Sequence, residues 1–468
     1  MNGGLTLGRC AVHSPLPPPP KPPRDKKARE ARGPLCASWA ERIGRQRLIA
    51  GGVTLLALTF FLGVGLPFAL DLRASRLLEA RLQVVQRILK EAPLIDGHND
   101  LAWNIRKRTH NRLRDFRFFQ DLRDDVSWSK GGKAYVPCGA QFLDAVQLTL
   151  EQIDVITRLV EKYPKQMQLV TSAEELEIAH RTGRIASLIG IEGGHSLGSS
   201  LAILRTFYQL GARYVTLTHA CNTPWADSSL VDEAVLGLQA GRAAYDEDEP
   251  PSLPVSEHDG LSDFGKLVVQ EMNRLGMIVD LSHVAVRTVE AAMRVTRAPV
   301  IFSHSAAQAL CNSSRNVPDH ILAKLSLNGG VVMVSFFNQF LSCKKEASMK
   351  DVIGKKEHYF PMMMREIMKR VPEGLEDVSK YPMLLAELAR DRRWSADDIK
   401  KLVGGNLVRV LRDAERVRNE WERAQVGPYE EWISLEDLDG KTQERIELCR
   451  GEIAPAWALE VEKKVGRK

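Results

Sequence analysis

Several features that mark common protein classes are scarce or missing in this 468-residue sequence. Its seven cysteines are too few for a dense disulfide scaffold. They include no C-x-x-C pair, which excludes a zinc ribbon and a thiol redox motif. No H-E-x-x-H motif occurs, and the run 260–266 is followed by Leu267 where a phosphate loop needs Ser or Thr. Lys and Arg number 65 against 59 Asp and Glu, and the excess lies in the first 50 residues. We therefore expect a near-neutral folded body and no nucleic-acid partner.

The first 93 residues differ in composition from the rest of the chain. Residues 48–70 form an uncharged apolar run of about 23 residues, which is long enough to cross a bilayer as a helix. The basic residues before it predict a signal anchor that leaves the tail in the cytoplasm and the body outside. A cleaved signal peptide, and hence a secreted protein, is the alternative. The predicted parts are a basic, Pro-rich disordered tail (1–47), the signal anchor or signal peptide (48–70), a linker helix (71–93), the main domain (94–425) and a C-terminal tail (426–468).

From residue 94 onward, short apolar runs alternate with amphipathic stretches of helical periodicity. Such alternation predicts a parallel sheet with crossover helices. Because seven runs are present, we predict an α/β protein of the (β/α)8, TIM-type barrel class whose eighth strand is missing or replaced. A doubly wound open sheet is the alternative. The seven runs are residues 94–95, 168–170, 185–191, 214–217, 277–281, 300–302 and 331–334.

Six residues with nitrogen or oxygen ligand atoms follow these runs. Barrel enzymes assemble their active sites at the C-terminal strand ends, so these side chains should share one centre. The set contains no thiolate and is typical of Zn2+ or a similar divalent ion. Six candidates exceed the three protein ligands of one open catalytic site, which favours two ions that share a carboxylate and hydrolysis by a metal-bridged hydroxide. The six are His98, Asp100, Glu192, His219, His283 and His304.

Five longer runs, four of which contain candidate ligands, carry a resemblance to a known family. They read D-G-H-N-D-L (96–101), I-E-G-G-H-S (191–196), L-T-H-A-C-N-T-P-W-A (217–226), P-V-I-F-S-H-S (299–305) and V-P-E-G-L-E-D-V-S (371–379). Together they resemble the membrane (renal-type) zinc dipeptidases over roughly residues 75–440. The resemblance implies a metallo-dipeptidase with a binuclear zinc barrel, which hydrolyses dipeptide substrates at the outer face of the plasma membrane.

The same resemblance implies how the metal ligands are shared. His98, Asp100 and Glu192 would hold one ion, and Glu192, His283 and His304 would hold the other. The expected cofactor is therefore two Zn2+ per chain, bridged by Glu192.

The resemblance also implies the substrate contacts. Catalytic roles fall on Glu192 and on His219, which would face the substrate and its tetrahedral intermediate. Arg315 would pair with the free carboxylate of the dipeptide, a task that suits a bidentate and always charged guanidinium. Without the resemblance, a surface arginine in a solvated loop is the better interpretation of Arg315.

Roles for five of the seven cysteines follow only from the resemblance. It implies the disulfides Cys138–Cys221 and Cys311–Cys343, and a homodimer in which Cys449 is the candidate inter-subunit cysteine. Asn312 lies in an N-S-S glycosylation sequon beside the predicted substrate-binding arginine.

One segment departs from the family pattern. The family has a Gly-Gly-Asp-Phe-Asp-Gly-like eighth strand whose aspartate binds the substrate ammonium, but no such run occurs in residues 351–370. We therefore expect no strand there and an open sheet edge. The alternatives to an active dipeptidase are a catalytically weak or inactive dipeptidase-like surface protein and another metal-dependent barrel hydrolase.

Overall fold

The computed structural model describes eight stretches of the chain, namely residues 35–116, 119, 144–235, 255–344, 346–353, 362–365, 372–375 and 377–438. The chain divides into two compact units, Met1–Arg76 and Leu77–Lys468. The predicted tail before residue 35, the last residues from 439 onward, and both Cys138 and Cys449 lie outside the described residues.

The described part of the first unit is helical. A helix at Leu35–Phe60 continues through a π-helical turn at Phe61–Gly65 into a helix at Leu66–Glu91, which runs on into the second unit. Within it, Arg47–Val64 has a mean hydropathy of 1.9 over 18 residues and is long and apolar enough to cross a membrane. A signal sequence passes the same test of length and composition, so both predictions for residues 48–70 remain open.

The described residues of the second unit form eight short strands in two parallel sheets. One sheet pairs β1 with β2, and the other has the strand order β3-β4-β5-β6-β7-β8. Every pairing in both sheets is parallel, as the alternating pattern predicts. The arrangement is compatible with a partial TIM-type barrel. The strands are β1 Met167–Leu169, β2 Ile185–Ser187, β3 Ile189–Ile191, β4 Ala212–Thr216, β5 Ile278–Asp280, β6 Ile301–Ser305, β7 Val331–Ser335 and β8 Met362–Arg365.

Helices connect the strands of the second unit. Several begin at a serine whose hydroxyl accepts the backbone N–H three residues later, as Ser262 does for Gly265 at the start of Asp263–Leu275. That helix ends where Gly276 adopts a φ of +74°. Within the described residues, the α-helices after the first two are Leu101–Thr109, Ala145–Lys162, Ala173–Arg181, Leu201–Gln209, Leu230–Val235, Asp263–Leu275, Val286–Val295, Asp319–Asn328, Asn338–Ser342, Met349–Ile353, Tyr381–Leu388, Ala396–Lys400 and Asn406–Arg423.

The core lies between the sheet and these helices. All five residues of β6 and all five of β7 are buried, as expected for parallel strands covered on both faces. Trp225 and Phe207 are among the largest fully buried side chains. The predicted site residues thus lie at the ends of strands that are largely buried in this core.

Three strand predictions need correction. Residues 94–95 are described but form no strand; instead, the N–H of Ile95 donates to the carbonyl of Val403. The run 185–191 is divided at Leu188 into β2 and β3, which belong to different sheets. The expectation of no strand in residues 351–370 is wrong, because β8 pairs with β7 from Val332↔Met362 to Ser335↔Arg365.

The physical reason for the last error is that backbone pairing requires no side-chain pattern. Met362–Arg365 has no β-branched or aromatic residue and no polar alternation, so it lacks the usual marks of a strand. The exposed N–H and C=O groups of an edge strand such as β7 can nevertheless pair with any extended segment. In the described part of the chain, β8 has no pairing with residues 94–96.

Candidate metal centre

The predicted ligands come together at the C-terminal ends of the strands. Glu192 directly follows β3, and His304 is the fourth residue of β6. His219 and His283 each lie three residues beyond β4 and β5, respectively. His98 precedes the helix Leu101–Thr109 and completes the group from a segment without strand structure.

The Glu192 carboxylate is at the middle of this group. Its Oε1 lies 3.0 Å from Nε2 of His283 and 2.9 Å from Nε2 of His304. Its Oε2 lies 3.4 Å from Nε2 of His98 and 3.9 Å from Nε2 of His219. Both oxygens are therefore engaged, and His219 is the most distant of the four imidazoles.

Asp100 lies at the edge of the group. Its Oδ1 is 3.2 Å from Nε2 of His98, and its side chain is 43% exposed. His98 and His304, in contrast, are buried. The Glu192 and His219 side chains are each 24% exposed, so the centre is accessible to solvent.

The charges of these groups are strongly coupled. Burial raises the pKa of the Glu192 carboxyl, but the nearby His98 and His219 and the contacts with His283 and His304 hold it well below its usual range. Burial lowers the pKa of His283 well below its usual value, and Arg315 and His219 add to the effect. Burial also lowers the pKa of His219. The site therefore favours an ionised Glu192 and neutral imidazoles at His219 and His283, which are the forms that bind a metal ion.

The donor atoms also lie at separations that suit a metal ion. Around a tetrahedral ion with bonds of about 2.0–2.1 Å, neighbouring ligand atoms are about 3.3 Å apart. The Nε2 atoms of His283 and His304 are 2.7 Å apart, and each lies about as far from Glu192 Oε1. Two overlapping groups have all their ligand atoms within 4.8 Å: His98, Glu192 and His304, and Glu192, His219 and His283. The residues fit a divalent metal, with Glu192 common to both groups.

These two groups divide the histidines differently from the prediction. The sequence resemblance places His304 with His283 and leaves His219 for the substrate, whereas the grouping by distance pairs His304 with His98 and His219 with His283. The Nε2–Oε distances to Glu192 nevertheless leave His219 outermost, at 3.9 Å. The assignment of each histidine to one ion stays a prediction.

Arg315 lies in a loop that is held by several contacts. The amide of Asn316 donates from Nδ2 to the carbonyls of Cys311 and Phe340, and its Oδ1 accepts the N–H of Ala306 at the end of β6. The Arg315 guanidinium lies 5.2 Å from the Phe340 ring centroid. Because Arg315 lowers the pKa of both His219 and His283, its charge is close to the metal centre.

One of the predicted disulfides involves Cys311, which lies in the same loop as Arg315. Cys311 and Cys343 are bonded, with Cα atoms 5.2 Å apart, which confirms that pairing. Cys221 is also disulfide-bonded, and Cys138 stays its predicted partner. The sequon asparagine Asn312 is exposed next to the bonded Cys311.

Two features of the site escaped prediction from the sequence. His195 lies beside His219, with ring centroids 6.4 Å apart, and burial together with His219 lowers its pKa to about 4. Its signal in the sequence was the G-G-H-S run after Glu192. The second feature is the buried carboxylate of Asp280, whose signal was an acidic residue inside the apolar run 277–281.

Glycine is needed where the chain turns from β3 into the site. Gly193 has a φ of +109°, and a Cβ there would lie 2.2 Å from the His195 ring. A Cβ on Gly194 would lie 2.4 Å from the carbonyl of Leu217 and 2.5 Å from Trp225. Both glycines allow Glu192 to reach the centre while the following turn packs against β4.

The fold and the site together define a class, the metal-dependent α/β hydrolases. In this class, parallel strands deliver histidines and carboxylates to one open centre. Comparison with known proteins then identifies the family. The sequence profile of the membrane dipeptidase family, Peptidase family M19, matches residues 82–425. The chain belongs to this family of metallo-dipeptidases, hydrolases that act on dipeptides.

Individual relatives agree with this assignment. The chain is 41% identical over 349 residues to "Dipeptidase 3" of Rattus norvegicus, covering 71% of this chain and 67% of that protein. It is 37% identical over 408 residues to "Dipeptidase aclJ" of Aspergillus oryzae, covering 80% and 90%, respectively. A solved metallopeptidase from Rhodobacter sphaeroides, liganded with a phosphinate mimic of L-Ala-D-Ala, matches with a TM-score of 0.55 and 22% identity over 69% of this chain and 99% of that one. At that identity the structural match shows the fold alone.

Proposed function

We propose that this chain is a zinc dipeptidase that uses two Zn2+ bridged by Glu192. The observation that carries the proposal is that Nε2 atoms of four histidines surround the two oxygens of one carboxylate within 2.9–3.9 Å. A cluster of lone-pair donors this dense, accessible to solvent, is suited to bind cations and a substrate together.

In this proposal the ligands divide into two sets. His98 and Asp100 would hold one ion with Glu192, while His283 and His304 would hold the other with the same carboxylate. Bound zinc would supply Lewis acidity and lower the pKa of a water molecule to near neutrality. The chain contributes a bridge whose charge is maintained at acidic pH, because the pKa of Glu192 is well below its usual range.

His219 is assigned to the substrate rather than to a metal ion. Its Nε2 is the farthest of the four from Glu192, and its side chain keeps 24% exposure. A neutral imidazole there can donate a hydrogen bond to the carbonyl oxygen of the scissile peptide as negative charge develops on it.

Arg315 is assigned to the free carboxylate of the dipeptide. Its loop is held by Asn316 and the Cys311–Cys343 disulfide, so the guanidinium is presented from a fixed backbone close to His219 and His283. A bidentate pair with a carboxylate would limit the substrate to peptides that end one residue beyond the scissile bond.

We further propose the location and assembly that the sequence predicts. The helix at Arg47–Val64 would anchor the chain, with the enzyme domain outside the cell and a dimer linked through Cys449. Residues 94–96 and the strands of both sheets would belong to one eight-stranded barrel, in which β2 and β3 count as a single strand interrupted at Leu188. Endoglycosidase sensitivity on intact cells that disappears in Asn312→Gln would support the outward orientation, and a reducible dimer that is lost in Cys449→Ser would support the linkage.

A catalytically weak surface protein is the second candidate, and one observation favours it. The sequence of β8 is Met-Met-Met-Arg, which offers no carboxylate for the substrate ammonium. Loss of such a charge-assisted hydrogen bond costs about 1.5–3 kcal/mol, or roughly 10- to 150-fold in binding.

The deciding experiment is a turnover assay on the purified full chain. L-Ala-D-Ala and L-Ala-L-Ala should be hydrolysed, and a chelator should abolish turnover until zinc is restored. C-terminally amidated dipeptides should be poor substrates, because they lack the carboxylate assigned to Arg315. Zinc binding without turnover would favour the weak surface protein, and the absence of zinc binding would refute the proposal.

A further inference from the structure

A fully buried carboxylate lies beneath the metal centre. Asp280, the last residue of β5, accepts hydrogen bonds on both oxygens from neighbouring strand ends. Its Oδ2 lies 2.5 Å from Oγ1 of Thr216 and 2.6 Å from Oγ of Ser303. Its Oδ1 accepts the N–H of Ser282 at 3.1 Å and the N–H of Ser303 at 2.8 Å. The residues after Ser282 and Ser303 are the candidate ligands His283 and His304, so one carboxylate fixes the backbone beside both.

The hydroxyl of Ser303 connects this carboxylate to one ligand ring. Its Oγ lies 2.6 Å from Oδ2 of Asp280 and 2.8 Å from Nδ1 of His304. A carboxylate only accepts hydrogen bonds, so the single hydroxyl proton of Ser303 goes to Asp280. Toward His304 the hydroxyl can then only accept, which requires a proton on Nδ1. Nε2, the nitrogen that faces Glu192 at 2.9 Å, is thereby left as the metal-binding atom.

We propose that Asp280 and Ser303 are positioning residues that select the metal-binding tautomer of His304. The inference rests on the proposed function, since it concerns how that metal site is prepared. The backbone supports the same geometry, because Ser282 Oγ accepts the N–H of His304 at 2.9 Å. Partners of this kind orient a ligand imidazole and raise its affinity for the ion, and their loss typically costs 10- to 100-fold in metal affinity.

Asp280→Asn tests the direction of the hydrogen bonds with almost no change of shape. The asparagine oxygen must stay where two backbone N–H groups point, so its NH2 group faces Ser303. The Ser303 hydroxyl then accepts from Asn and donates to Nδ1 of His304, which moves the ring proton to Nε2. We expect the zinc held by His283 and His304, here called the second equivalent, to bind 10- to 100-fold more weakly. The zinc held by His98 and Asp100, the first equivalent, should be retained.

Two serines on β6 give the matched comparison. Ser303→Ala removes the hydroxyl that contacts the ring, whereas Ser305→Ala removes an equally buried hydroxyl that lies 3.4 Å from Ser282 Oγ. Ser303→Ala is expected to weaken the second equivalent as Asp280→Asn does, and Ser305→Ala to bind like the native chain. If Asp280→Asn does not fold, Ser303→Ala alone decides.

The experiment titrates the metal-free full chain with zinc against a competing chelator and repeats the titration with cobalt(II). The visible absorption of the second cobalt equivalent should change in Asp280→Asn and Ser303→Ala, which a purely structural role would not produce. Native affinity and spectra in both variants would overturn the inference and leave the proposed function intact. Failure of the native chain to bind either metal would refute the proposed function and the inference with it.

Discussion

Glu192→Gln should weaken metal binding more than any other single change at this centre. The Oε1 atom lies 3.0 and 2.9 Å from Nε2 of His283 and His304, and Oε2 lies 3.4 Å from Nε2 of His98. Glutamine keeps the size of the side chain, but one oxygen becomes an NH2 group without a lone pair for an ion. The negative charge that balances two divalent ions is lost as well.

The magnitude follows from the position of Glu192 between both sets of ligands. Loss of a partner that only orients a ligand costs 10- to 100-fold in metal affinity. A shared ligand contacts the ion directly, so we expect a loss of more than about 100-fold, or about 2.7 kcal/mol, for at least one ion. The second ion should also bind more weakly, because in the proposed site the same residue would serve both.

Metal analysis of the purified chain and chelator competition measure both effects. His219→Ala is the matched control, because its Nε2 is the farthest from Glu192, at 3.9 Å, and it should keep both ions while losing turnover. Two tightly bound ions in Glu192→Gln would refute the bridging role. Equal metal loss in His219→Ala would show that His219 is a ligand, as the grouping by distance suggests.

Three further predictions address the substrate, acid stability and the eighth strand. Arg315→Leu should lower kcat/KM for dipeptides at least tenfold and leave the zinc content unchanged, because truncating one partner of a buried bidentate pair costs about 2–5 kcal/mol. Unchanged kinetics would show that the substrate carboxylate binds elsewhere. Burial and His219 lower the pKa of His195 from 6.5 to about 4. In the metal-free chain at pH 5, this histidine is therefore protonated in the unfolded state and neutral in the folded state. Urea unfolding should therefore show that the native chain loses about 2 kcal/mol more stability between pH 7 and pH 5 than His195→Gln. Equal losses would contradict a His195 that stays neutral in the folded chain. Grafting Gly-Gly-Asp-Phe-Asp-Gly between Lys350 and Val371 should raise the turnover of L-Ala-D-Ala, measured by steady-state kinetics. A native chain that is already as active as the grafted chain would contradict this prediction.

The sequence predicts much of the helix-and-strand pattern because the local signals and the tertiary structure agree. The helix at Asp263–Leu275 shows this agreement, since Ser262 caps its start and Gly276 ends it. The clustering of the candidate ligands was predictable for a related reason. Each of Glu192, His219 and His283 follows an apolar run closely, and parallel strands bring their C-terminal ends to one edge.

The features that the sequence does not predict depend on contacts between distant residues. Asp280 receives hydrogen bonds from Thr216 and Ser303, which lie 64 and 23 residues away, and no local pattern records that convergence. Residues 94–95 have the apolar character of a strand, but the amide of Ile95 bonds to Val403 far along the chain. In each case the partner is specified by the fold and not by neighbouring residues.

The family's eighth-strand motif would meet two requirements at once, namely a strand beside β7 and an aspartate for the substrate ammonium. Absence of a Gly-Gly-Asp-Phe-Asp-Gly run predicted both an open sheet edge and a missing partner for the substrate ammonium. Met362–Arg365 meets the first requirement only for β7, whose edge is covered by backbone pairing with Val331–Ser335. In the described part of the chain, β8 itself becomes the outer strand. It does not satisfy the second, because none of its four residues is acidic. Stability and turnover should therefore respond differently to changes in this segment: a graft that supplies the aspartate is expected to change catalysis far more than the resistance of the domain to unfolding.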